Sequence, residues 1–174
     1  DNSDKLNFQS PFMRFWFAFV SPFYKSIKEG NYEEVEKAFM NREQSFCDFI
    51  FTKLSHALLQ QTLTSDPIIE IGSYWDKNCE IDILAKTKSG KLIAGSCKYT
   101  QNKVKKTELS RLKEQCELAQ LEPDMYVNNA KNGFSSELKS LKSETLKLFT
   151  IKSLKPLIED VNEKDLIPCE GKKY

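Results

Sequence analysis

Apolar residues recur at helical spacing along the first third of the chain and switch to alternation near residue 68. Pro11 suits a first helical turn, and Phe12, Phe15, Trp16, Phe19 and Phe23 then follow one stripe. Gly30-Asn31 is a stop signal. Tyr32–Met40 reads as a second, acidic helix. Arg42–Gln61 reads as a third, with Phe46, Phe49, Ile50, Leu54, Ala57 and Leu58 on one face. Ile68–Trp75 then reads as a strand, Asp76-Lys77-Asn78 as a turn and Glu80–Lys86 as a second strand. Ser89-Gly90 turns the chain again into a third strand, Lys91–Tyr99, which predicts an antiparallel meander. Val104–Leu121 is helical, with Leu109, Leu112, Cys116 and Ala119 inward, and Pro123 stops it. A strand at Asp124–Asn128, a helix at Phe134–Lys142, a strand at Leu146–Ile151 and a short helix at Pro156–Val161 follow. The expected organisation is a helical lead-in over 1–40, an α+β domain over 41–161 and a tail over 162–174. Its core order is α-β-β-β-α-β.

Composition excludes several classes. The 174 residues are 40% hydrophobic and 29% charged, values ordinary for a globular domain and foreign to collagen-like or disordered chains. The most apolar stretch, Phe12–Val20, contains Arg14 and is far shorter than a membrane span, so no membrane partner is expected. No secretory leader is visible, and five cysteines without a C-x-x-C pair point to reduced thiols in the cytoplasm. One histidine, His56, rules out a histidine-rich metal site and reads as structural. The chain starts at Asp1 without Met, as a piece of a longer protein would.

Net charge is +1, but it is unevenly spread. Residues 1–85 carry 8 basic and 13 acidic side chains, and residues 86–155 carry 15 and 7. The basic middle is either a solvated surface or a nucleic-acid footprint. Lys98, Lys103, Lys105, Lys106 and Arg111 cluster after the third strand and are the candidate phosphate contacts.

Alternation places Glu80, Asp82 and Leu84 on one face of the second strand and Ile81, Ile83 and Ala85 on the other. Pairing about Ser89-Gly90 brings Asp82 near Lys98 at one end of the sheet. Partly buried charges must pair or bind a cation. Two readings remain open. One is an ion pair fixing strand register. The other is a divalent-metal nuclease site, with carboxylates holding Mg²⁺ and a lysine beside the attacked phosphate. Gly90-Lys91-Leu92-Ile93-Ala94-Gly95 has P-loop glycine spacing, but Ser96 follows instead of Lys, so no P-loop is present.

Three strings carry a resemblance: Ile71-Gly72-Ser73-Tyr74-Trp75-Asp76, Glu80-Ile81-Asp82-Ile83-Leu84-Ala85 and Gly95-Ser96-Cys97-Lys98-Tyr99. Together with Ser10–Val20, they resemble the domain of unknown function at the C-terminus of archaeal-type DEXX-box ATPases, which also occur in bacteria. The match runs from about residue 8 to about residue 135. That family is assigned to the PD-(D/E)XK nuclease-like superfamily, whose core is α-β-β-β-α-β with a mixed sheet. The resemblance implies an upstream ATPase and winged-helix module, DNA as partner, and Asp82, Lys98 and Glu80 as catalytic positions. If the protein is an enzyme, it is a metal-dependent phosphodiesterase. Two positions depart from the pattern: Ser96 stands where the motif has an acid, and Cys47, beside Asp48, replaces the acid of the first core helix. Some restriction endonucleases carry a similar Ser-x-Lys strand with the acid moved to the following helix. Here Glu108, on the flank of the buried stripe, is either a solvated helix-surface acid, the commoner case, or an acid that looks into the site, whereas Glu114 points elsewhere. The metal-ligand candidates are therefore Asp82, Glu80 and Glu108. The expectation is a catalytically degenerate nuclease-like domain that binds nucleic acid or regulates its ATPase. A weak Mg²⁺ nuclease and a protein-interaction module, docking through the aromatic helix, are the rivals.

Overall fold

A computed structural model describes residues 10–155 and residue 157. The expected tail over 162–174, most of the helix expected at Pro156–Val161, and Cys169 lie outside the described residues. The chain divides at Ile50/Phe51 into two compact units.

In the first unit, helix α1 (Pro11–Phe15) is capped by Ser10, whose Oγ accepts from the Met13 amide at 3.5 Å. The helix does not run on to Phe23 with one geometry. It loosens into a wide turn over Trp16–Val20 and tightens at Ser21–Phe23, where Pro22 lacks an amide donor. Helix α2 (Tyr24–Lys28) follows and ends before Gly30, whose φ of 76° suits glycine. Helix α3 then runs unbroken from Glu33 to Thr62, so the two helices expected over 32–61 are one. No Gly or Pro lies within it, and nothing stops the hydrogen-bond ladder at residues 40–42. The boundary between units falls inside α3, later than the expected end of the lead-in at residue 40. Phe19, 1% exposed, anchors this unit, with ring centroids 5.3 Å from Phe15, 5.2 Å from Phe39 and 5.9 Å from Phe46.

The second unit contains strands β1 (Ile68–Trp75), β2 (Glu80–Thr87), β3 (Leu92–Lys98), β4 (Met125–Ala130) and β5 (Leu146–Thr150). Helix α4 (Lys106–Leu118) links β3 to β4, and the short α5 (Ser136–Ser140) links β4 to β5. The sheet order is β1-β2-β3-β4-β5, with the first three strands antiparallel and β3-β4-β5 parallel. With the C-terminal part of α3 leading in, this is an α+β unit with the α-β-β-β-α-β order and a mixed sheet. The β1–β2 turn is held by Asp76, whose Oδ1 accepts from the amides of Asn78 and Cys79 at 2.6 and 2.9 Å. Gly90, at φ 90°, makes the β2–β3 turn.

Two element ends moved for visible reasons. Val104 and Phe134 do not open helices, because they bridge each other in parallel between the loops after β3 and β4. β4 runs on to Ala130, which pairs with Lys98 on one side and Thr150 on the other.

Both faces of the sheet are covered. Leu59 of α3 packs with Ile83, Ala85, Ile93 and Val127 on one face. Leu112 and Cys116 of α4 pack with Ile81 and Ala94 on the other, next to a cluster of Leu109, Leu138, Phe134 and Leu146. Gly95 lies where the sheet is tightest. A Cβ there would stand 2.8 Å from the Val127 carbonyl oxygen and 3.1 Å from Ile83.

Candidate functional site

The site begins with a break in strand alternation. Between Gly72↔Leu84 and Tyr74↔Ile81 the β1–β2 ladder slips, so that Ser73 faces both Asp82 and Ile83. This β-bulge reverses the side-chain phase of β2. Ile81 and Leu84 therefore join the cluster under α4, while Ile83 and Ala85 join the one under α3. The expected faces, with Ile81 beside Ile83 and Asp82 beside Leu84, do not form. Asp82 sits at the bulge itself.

The backbone carbonyl of Asp82 accepts two side-chain hydrogen bonds, from His56 Nε2 at 2.9 Å and from Ser73 Oγ at 2.7 Å. A carbonyl only accepts, so His56 carries its proton on Nε2. Burial, with nearby Lys53 adding to it, holds the His56 pKa below its ordinary value despite that bond. The neutral imidazole of α3 is thus a pin for the bulge. The Asp82 carboxylate accepts from the Cys97 amide, Oδ2 to N 2.8 Å, which ties β2 to β3. Burial raises the Asp82 pKa, the Cys97 amide and Lys98 oppose the rise, and Glu80 and Glu108 add to it.

Lys98, the last residue of β3, pairs with Glu108 of α4 at 3.2 Å. The Glu108 side chain is only 18% exposed and also lies 3.9 Å from Arg111. Glu108 thus faces the end of the sheet. Glu80 is exposed, although its charge reaches Asp82, and its amide donates to Gln115 Oε1 at 2.9 Å. Asp82, Glu80, Glu108 and Lys98 share one end of the sheet. Even so, no group of three or more His, Cys, Asp or Glu side chains converges closely enough to hold a metal among the described residues. Glu80 stays in solvent and Glu108 is turned to Lys98.

Ser96, at the position where the resemblance has an acid, is buried and accepts a hydrogen bond from Asn128 Nδ2 at 2.7 Å. Asn128 is its register partner on β4 and is fully buried, and its Oδ1 has no hydrogen-bond partner among the described residues. Cys97 follows, its thiol pushed up to about 12 mainly by burial, with Asp82 adding to the effect. Such a thiol stays protonated and is no nucleophile. Cys47 is half-buried in the first unit. Of the basic candidates, Lys103, Lys105, Lys106 and Arg111 are exposed. Lys106 lies 3.5 Å from Glu137.

Sequence reasoning took His56 as structural without naming its partner and passed over Asn128. Their partners lie 26 and 32 positions away, so no local pattern marks them.

Residues 16–111 match the model of the family DUF234, archaeal and bacterial proteins of unknown function. The chain belongs to this family. The matched segment takes in His56, Asp82, Ser96, Lys98 and Glu108 and stops short of Asn128. The chain is also similar to a solved protein of unknown function, AF1548. The two are 16% identical over 66% of this chain and 72% of that one, with a TM-score of 0.42. A repair endonuclease from Pyrococcus abyssi is 13% identical over 53% of this chain and 45% of that one, with a TM-score of 0.34. No curated protein matches the sequence. No described helix is long and apolar enough to cross a membrane.

Proposed function

We propose that this DUF234 chain is a catalytically degenerate, nuclease-like domain that binds DNA. In this reading it works in the cytoplasm as part of a larger ATPase, downstream of a winged-helix module. The observation that carries the reading is the state of Ser96. It is buried and held by the Asn128 amide at 2.7 Å, where a metal-dependent nuclease of the resembled pattern needs a carboxylate. A hydroxyl committed to an amide supplies no anionic oxygen to Mg²⁺. The remaining donors fit the metal poorly. Asp82 is one half-buried carboxylate with a raised pKa and an oxygen already on the Cys97 amide. Glu80 is exposed, and Glu108 neutralises Lys98.

What survives is a charged sheet end bordered by exposed cations, suited to phosphate binding. Lys103, Lys105, Lys106 and Arg111 supply the sequence-independent contacts in this reading, with Lys98 behind them. A second reading, a weak Mg²⁺ nuclease using Asp82, Glu80 and Lys98 with Glu108 as the relocated acid, draws on the inward turn of Glu108. Incubating the protein with plasmid and linear DNA plus Mg²⁺ or Mn²⁺ separates the two. We expect salt-sensitive DNA binding and no cleavage. Cleavage that disappears in both Asp82→Ala and Lys98→Ala would establish the second reading instead. Absence of any DNA shift at low salt would leave a protein-interaction module, with exposed Phe12, Trp16 and Phe17 as its contact surface.

A further inference from the structure

β3 and β4 run parallel, so the loops that follow them leave from the same edge of the sheet. Ligands of α/β sheets gather at such carboxyl ends. Here the two loops are joined along their length. The Lys131 amide donates to the Lys98 carbonyl at 2.9 Å, Val104 to Gly133 at 2.9 Å and Ser135 to Val104 at 2.9 Å. The Asn132 side-chain amide donates to the Gln101 carbonyl. The edge is therefore built in advance, with little left to order on binding.

Lys131 is the first residue after β4, and its backbone lies beside that of Lys98. Its ammonium stands 4.2 Å from the centroid of the Tyr99 ring. Tyr99 in turn packs on Phe51, ring centroids 5.6 Å apart. The aromatic ring thus fixes a cation beside the residues that the nucleic-acid reading already uses.

We propose that Lys131 is a further phosphate-binding residue, positioned by Tyr99. The inference rests on the nucleic-acid reading and deepens it. Lys131 lies outside the basic run after β3, so only the parallel pairing of β3 with β4 brings it to the site.

The test is anisotropy titration of a labelled duplex at several salt concentrations. The variants are Lys131→Gln, Lys131→Arg, Tyr99→Leu and Lys103→Gln. Lys91→Gln, just before the opposite end of β3, is the control. We expect Lys131→Gln to weaken duplex binding several-fold and to lower the slope of log K against log salt by about one. Lys131→Arg and Lys91→Gln should keep the slope. Tyr99→Leu should lower the slope while leaving the melting profile cooperative. A wild-type slope in Lys131→Gln, beside a reduced slope in Lys103→Gln, overturns the inference and leaves the nucleic-acid reading standing. No salt-sensitive binding by the wild-type chain removes both.

Discussion

Asp82 and His56 meet at one backbone carbonyl, and their titrations pull stability in opposite directions. Burial raises the folded pKa of Asp82 above the 3.8 of an exposed carboxyl. Its contribution to stability is present below that value and lost as pH rises through the folded one, so the ionised group costs stability at neutral pH. Asp82→Asn keeps an oxygen for the Cys97 amide and removes the buried charge. It should melt higher than wild type at pH 7, with the gap closing near pH 3. A lower melting temperature at pH 7 would show that the charge is well paired. His56 has the opposite sign. Its folded pKa lies below the unfolded 6.5, so the unfolded chain takes up the extra proton and stability falls as pH drops below about 6.5. His56→Ala should flatten that acid-side loss. It should also cost about 1–3 kcal/mol at pH 7 by removing a buried hydrogen bond to the bulge. Urea titrations across pH 3–8 measure both. None of this is local in the sequence: His56 and Ser55 are buried on α3 among Phe51, Leu58 and Leu59, and the partner of His56 is 26 positions away.

At the scale of elements, the meander was legible and the bulge within it was not. β1 starts and ends where alternation and turn residues place it, since the period of two, Asp76 and Gly90 are local signals. The bulge has no such marker, because neither Asp82 nor Ile83 is a glycine. It exists because Ser73 and His56 satisfy a carbonyl that leaves the ladder. One register slip moves Ile81 to the opposite sheet face from Ile83. Gly95 shows the same dependence on neighbours. Its sequence context gives no reason for glycine, and the reason is the Val127 carbonyl of a strand more than 30 residues later. Gly95→Ala should cost about 1–3 kcal/mol through displacement of β4 or Ile83. A denaturant midpoint unchanged from wild type would show that β4 can give way.

Over the whole molecule, a net charge of +1 conceals a basic stretch from Lys86 to Lys155. Folding sorts that stretch. Lys98 goes to Glu108 and Lys106 lies near Glu137, while Lys103 and Lys105 remain exposed. Neutralising Lys103, Lys105 and Lys106 together should reduce the salt slope of DNA binding by about 2–3, since each phosphate contact contributes about 0.9. An unaltered slope would move the interface elsewhere. The sequence by itself determined the order of elements from β1 to β5, the α+β class, and the presence of Asp82 and Lys98 at one end of the sheet. Those follow from periodicity, turn chemistry and short-range pairing, all written within a few residues of each other. Only the tertiary structure decided what the site contains. Ser96 is locked by Asn128, Glu108 is turned onto Lys98, Asp82 is pinned by His56, and Lys131 is brought beside Lys98. Each of those depends on strands or helices far apart in the chain being packed together, and burial then sets which charges pair and which polar groups are held.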